Sequence, residues 1–146
     1  MAEEAIFLGD CIRTLDPKNR IVMPPAYKKH LSAEPFYMVC FPRDKCVRIY
    51  QKAELMDILY SKVFVEGGGD KALKTQRYVF SRMVEEELDS QNRFTIPQKL
   101  IDIAGIDRDV RMVGVGNRVE LWRPDSFTDD VENDTDESFL DFTTDR

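Results

Sequence analysis

A ten-residue segment occurs twice in this chain with half of its positions identical. Leu15-Asp16-Pro17-Lys18-Asn19-Arg20-Ile21-Val22-Met23-Pro24 returns 73 residues later as Leu88-Asp89-Ser90-Gln91-Asn92-Arg93-Phe94-Thr95-Ile96-Pro97. Val47-Arg48-Ile49-Tyr50 answers Val119-Glu120-Leu121-Trp122 at an offset of 72, and Met38-Val39 answers Met112-Val113 at 74. Such drift is what loop-length changes produce. Self-similarity at a fixed period means one supersecondary unit repeated. Each copy has about 70 residues, too few to bury a comfortable core alone, so the copies are expected to associate.

The repeated segment carries turn chemistry. A leading Asp accepts hydrogen bonds from backbone N–H groups two or three residues on. Pro17 fits the second position of a type I turn, and Asn19 tolerates the left-handed conformation that closes a three-residue hairpin. Arg20 then opens the return strand. Pro24 and Pro97 end that strand and open a helix, where a missing N–H costs little. Short helices are expected over residues 25–31 and 98–104, the second stopped by Gly105. Two apolar strands follow in each copy, 36–41 with 46–50 and 110–115 with 118–122. Between the copies, residues 53–64 have amphipathic helical spacing. Residues 66–70 hold three glycines and read as a flexible connector. Residues 76–88 deliver the first strand of the second copy.

The net charge of −6 hides an uneven distribution. Residues 124–146 carry nine acidic groups and one basic one, whereas residues 12–29 hold Arg13, Lys18, Arg20, Lys28 and Lys29 against Asp16 alone. A basic patch on a near-neutral body with an acidic tail suits a nucleic-acid partner. No run of about 18 apolar residues is present, so no membrane partner is expected. The acidic start lacks the long apolar stretch of a signal peptide. Cys11, Cys40 and Cys46 are odd in number with no CxxC pair, and read as reduced cytosolic thiols. With His30 as the one histidine, no metal site is expected. Gly114-Val115-Gly116 has no following helix and reads as backbone punctuation. No nucleophile–base pair, ligand cluster or phosphate loop stands out, so the reading is not an enzyme, with no cofactor and no small-molecule substrate.

The duplicated Asp-x-x-x-Arg turns, the helices "MPPAYKKHL" and "IPQKLIDIAGI", and the closing "MVGVGNRVELW" resemble the MraZ proteins. These are tandem members of the SpoVT/AbrB superfamily of swapped-hairpin DNA-binding domains. The likeness runs over about residues 5–127. It implies an α+β fold of two tandem swapped-hairpin units, each with a hairpin, short helix and two strands, packed as an intramolecular pseudo-dimer barrel. The division expected is unit 1 at residues 5–52, a connecting helix and Gly-rich linker at 53–75, unit 2 at 76–124, and an acidic, disordered tail at 125–146. The resemblance further implies a transcription regulator of bacterial cell-division and cell-wall genes. Such a protein is cytoplasmic and nucleoid-associated, and binds repeated promoter elements of double-stranded DNA as a ring-like homo-oligomer. The residue before each Arg, usually glycine in that family, is here Asn19 or Asn92.

The DNA-binding residues expected are Arg20, Lys18, Arg13, Asp16, Asn19 and Lys28 in the first copy, and Arg93, Asn92, Gln91 and Asp89 in the second. Arginine pairs with phosphate oxygens or with the O6 and N7 edge of guanine. An isolated Asp-x-x-x-Arg is most often a local ion pair; the duplication points further, and both roles are compatible. Matching the copies sets Arg13 against Glu86, Lys18 against Gln91, Lys28 against Ile101 and Lys29 against Asp102. The first copy is therefore expected to carry most of the affinity. A different reading is an antitoxin-like or partner-binding module, in which Phe127, Phe139, Leu140 and Phe142 among the tail acids fold onto a partner.

Overall fold

The computed structural model describes residues 6–64 and 67–133. The first copy contributes β1 (Asp10–Thr14), β2 (Arg20–Val22), α1 (Pro25–Lys28), β3 (Phe36–Val39) and β4 (Val47–Gln51). Helix α2 (Lys52–Ile58) runs into a wider π-helical segment, Leu59–Val63, and α3 (Gly69–Arg82) leads to the second copy. There follow β5 (Val84–Glu86), β6 (Arg93–Thr95), α4 (Gln98–Ala104), β7 (Asp109–Gly114) and β8 (Val119–Trp122). Last comes α5 (Pro124–Phe127), continued by a π-helical Thr128–Glu132.

Every strand pairing is antiparallel, which with the helices gives the mixed α+β class expected. Six strands form one sheet in the order β1-β7-β8-β4-β3-β5, and exchanging the copies returns the same order reversed. Each copy's first strand leaves its own unit: Cys11 of β1 faces Met112 of β7, and Val84 of β5 faces Met38 of β3. Strands β2 and β6 pair with each other as a separate ribbon. The arms of each turn thus part into different sheets.

Among the described residues the closed barrel expected from the resemblance is not found. Strands β1 and β5 are the edges of the sheet with four strands between them, and the β2–β6 ribbon packs on one face instead of bridging those edges. That face holds Met38, Val47, Ile49, Val110, Met112 and Leu121. They bury against Ile21 and Phe94 of the ribbon and Tyr27, Leu100 and Ala104 of α1 and α4. Burying a side chain of this size contributes about 1.5–3 kcal/mol, so the ribbon is anchored by its own apolar pair.

The opposite face is covered twice. Val39 and Tyr50 pack under α2, α3 and the segment between them, through Leu55, Leu59, Val63 and Val79. Trp122 meets Phe127 of α5 edge to face at 5.4 Å, and Arg111 lies 4.2 Å over the Phe127 ring while pairing with Asp10 and Glu132 at 2.6 Å each.

Two expectations change here. Residues 69–82, assigned to the linker and the start of a strand, are the helix α3. Its inward stripe includes Ala72, Thr75, Gln76 and Val79, half-buried apart from the fully buried Val79. Helical spacing is present, but small and polar side chains mask it from an apolar count. The acidic segment also begins inside the fold, because α5 and the turn after it are held by Trp122 and Arg111. Phe139, Leu140 and Phe142 lie outside the described residues.

Gly114 is required by close approach. A Cβ there would overlap the backbone of Phe7 and Leu8, whose segment bonds across it through Gly114 N–H to Gly9 O at 2.7 Å.

Candidate nucleic-acid interface

The two turns share one pattern of hydrogen bonds to the backbone. In the first, the Asp16 carboxylate accepts from the N–H groups of Lys18 at 2.9 Å and Arg20 at 2.8 Å. In the second, Asp89 accepts from Gln91 at 2.9 Å and Arg93 at 2.8 Å. The turn also closes through Asn19 N–H to Asp16 O at 3.0 Å and Asn92 N–H to Asp89 O at 2.9 Å. Both asparagines sit at φ 61°, the left-handed conformation the sequence calls for. The Arg20 backbone N–H holds the Asp16 carboxyl below its ordinary value; burial opposes this, and the Arg20 guanidinium and the Lys18 N–H assist. Asp89 is lowered in the same way by Arg93.

Each carboxylate also takes its arginine's Nε, at 2.6 Å from Arg20 and 2.9 Å from Arg93. The terminal amino groups of both arginines make no hydrogen bond to another described residue. Pairing through Nε fixes each guanidinium by one edge and leaves the other free. Side-chain exposures of 34% and 28% keep that edge within reach of solvent.

The ribbon puts the two groups together. Arg20 faces Thr95, Ile21 faces Phe94 and Val22 faces Arg93. Ile21 and Phe94 point into the core, so Arg20, Val22, Arg93 and Thr95 share the outer face. The two arginines are diagonal neighbours, whose Cα atoms usually lie about 7–8 Å apart. The turns occupy opposite ends of the ribbon, related by exchange of the copies.

The remaining predicted residues divide. Lys18 and Gln91 are exposed at the turn tips. Lys28 is not beside its own turn: with Asp89 and Asn92 it lines a cleft at the second. Cross-pairing of β2 with β6 carries each helix to the other copy's turn. Arg13 is not brought to either tip; it lies on β1 opposite Val110, with Nη1 donating to Ile12 O at 3.2 Å. Two groups escaped the sequence reading. Arg108 lines a cleft with Asp16 and Asn19. Gln98 of α4 accepts from Asn19 Nδ2 at 3.1 Å. Neither has a motif, and their relevance depends on a helix reaching across the repeat.

Among the described residues no three His, Cys, Asp or Glu side chains gather as a metal site requires, and no helix is long and apolar enough to cross a membrane. The Cys40 thiol is pushed up to about 12 and the Cys46 thiol higher still, chiefly by burial, which leaves both unreactive.

Comparison with known proteins places the chain in a family. A family profile described as "MraZ protein, putative antitoxin-like" matches residues 79–146. A protein of Mesomycoplasma hyopneumoniae (strain 7448) named "Transcriptional regulator MraZ" is 37% identical over 115 residues, covering 78% of this chain and 77% of its own. Proteins of the same name from Mycoplasmopsis pulmonis (strain UAB CTIP) and Syntrophomonas wolfei subsp. wolfei are 33% and 34% identical. They cover 86% and 88% of each chain.

Proposed function

This chain belongs to the MraZ family, and on that premise we propose that it is a transcription regulator binding double-stranded DNA sequence-specifically through its two Asp-x-x-x-Arg turns. The observation that carries the reading is the outward pair Arg20 and Arg93, each held by one edge with the other free. A two-stranded ribbon fits the major groove, about 12 Å wide, and a guanidinium edge matches guanine O6 and N7 or a phosphate. Asp16, Asn19, Asp89 and Asn92 hold the turns. Lys18, Gln91, Lys28 and Arg108 supply contacts that set affinity and register. Arg13, turned back on its own strand, is left a minor phosphate contact.

The two copies work as a pseudo-dimer in which each turn is completed by the other copy's helix. Both turns then contribute comparably, in place of the dominance of the first copy that residue matching suggests. One chain offers about 3–5 phosphate contacts, few for specific binding at physiological salt. A ring-like homo-oligomer on repeated promoter elements raises affinity through effective concentration. Cell-division and cell-wall genes are the targets, and the nucleoid within the cytoplasm is the site of action. No chemistry is performed on the DNA, and no cofactor or small-molecule substrate enters.

The test is gel retardation of a promoter fragment and of random DNA at two salt concentrations, with wild type, Arg20→Ala and Arg93→Ala. Each substitution is expected to abolish specific retardation while circular dichroism stays unchanged. Retardation equal to wild type in both variants would overturn the assignment. A second reading, a partner-binding module using the acidic-aromatic segment 125–146, is favoured by the words "putative antitoxin-like" in the profile's description. Co-purification of a small protein that depends on those residues would support it.

A further inference from the structure

The two turns, alike in backbone, differ in what touches the asparagine side chain. Asn19 Nδ2 donates to Gln98 Oε1 at 3.1 Å, and Gln98 Nε2 donates to Asp102 Oδ1 at 2.8 Å. A carboxylate can only accept. Asp102 therefore obliges Gln98 to face it with the amino group and to turn its carbonyl toward Asn19. Asn19 must then offer its own amino group. What remains of that amide is fixed in kind: one carbonyl oxygen and one N–H.

The second turn lacks this relay. At the repeat offset Gln98 is matched by Pro25 and Asp102 by Lys29. A proline side chain has no hydrogen-bonding group and a lysine has no acceptor. The Asn92 side chain makes no hydrogen bond to another described residue.

We propose that Asn19 is a base-reading residue of the first turn, oriented by Gln98 and Asp102 as positioning residues, and that the edge it reads is adenine in double-stranded DNA. Adenine presents an N6 donor and an N7 acceptor in the major groove, the complement of an amide carbonyl and N–H. A carboxylate beside a phosphate-binding turn opposes DNA affinity. That is the expected sign for a group that contributes orientation instead of attraction. The inference rests on the DNA-binding reading above.

Selection from a random duplex pool followed by sequencing tests it, using the full chain as wild type, Asn19→Gly, Asn92→Gly, Gln98→Ala, Asp102→Asn and Arg20→Ala. Glycine adopts the left-handed turn freely, so the first two variants keep the fold. Wild type is expected to favour adenine at one position by roughly tenfold or more. Asn19→Gly loses that preference alone, and Asn92→Gly retains it. Asp102→Asn tightens binding to random duplex while eroding the adenine preference, and Gln98→Ala erodes it as well. A purely structural role would weaken affinity and preference together. An unchanged adenine preference in Asn19→Gly, or in both Gln98→Ala and Asp102→Asn, overturns the proposal. A wild type that selects no sequence defeats the DNA-binding reading too, and is told apart by Arg20→Ala then changing nothing.

Discussion

Asp16 and Asp89 each carry three tasks with two oxygens: they close a turn, seat an arginine and hold its guanidinium by one edge. Because the folded turn favours the carboxylate, the stabilisation is complete above the usual aspartate value of 3.8 and is lost as pH falls through the lower folded value. Between pH 5 and 8 the turns are expected to be insensitive to pH. The amide resonances of Lys18, Arg20, Gln91 and Arg93 should titrate together with midpoints below 3.8. A midpoint at or above the usual value would show that the carboxylates are not the acceptors described.

At the scale of elements, the ribbon is short because it needs little length. Three residues per strand suffice when the central pair, Ile21 and Phe94, is buried and the turns brace both ends. The helix α5 works similarly on the other face of the sheet, where one aromatic ring serves both Trp122 and Arg111. Replacing Phe127 with Ala removes that ring from two contacts and is expected to cost about 1–3 kcal/mol in urea denaturation. An unchanged midpoint would mean that α5 rests on the sheet without stabilising it.

The whole molecule is held by pairings that cross the repeat. Strand β1 depends on β7, β5 on β3, and β2 on β6. A chain of residues 5–52 alone would expose those edges, so it is expected to be unfolded or dimeric by size-exclusion and circular dichroism. A folded monomer would contradict the crossed architecture. The same crossing couples Lys28 to the second turn. In DNA-binding double-mutant cycles, Lys28→Ala is expected to interact with Arg93→Ala by about 0.5 kcal/mol or more and to be additive with Arg20→Ala. The reverse pattern would return Lys28 to its own copy's turn.

Local chemistry was readable from residues alone. The Asp head, the left-handed Asn19 and Asn92, the proline that opens α1 or α4, and Gly105 ending α4 at φ 65° each act within a few residues. Sequence spacing is enough to describe them. The six-stranded order, the open edges at β1 and β5, the helix α3 with its Ala, Thr and Gln stripe, and the meeting of Gln98 with Asn19 were decided by tertiary structure. They depend on which strand accepts the hydrogen bonds of another about 50 to 100 residues away. Two copies of one motif can satisfy those bonds within a unit or across units, and the motif is the same in either case. The choice places Lys28 at the second turn and Asp102 at the first.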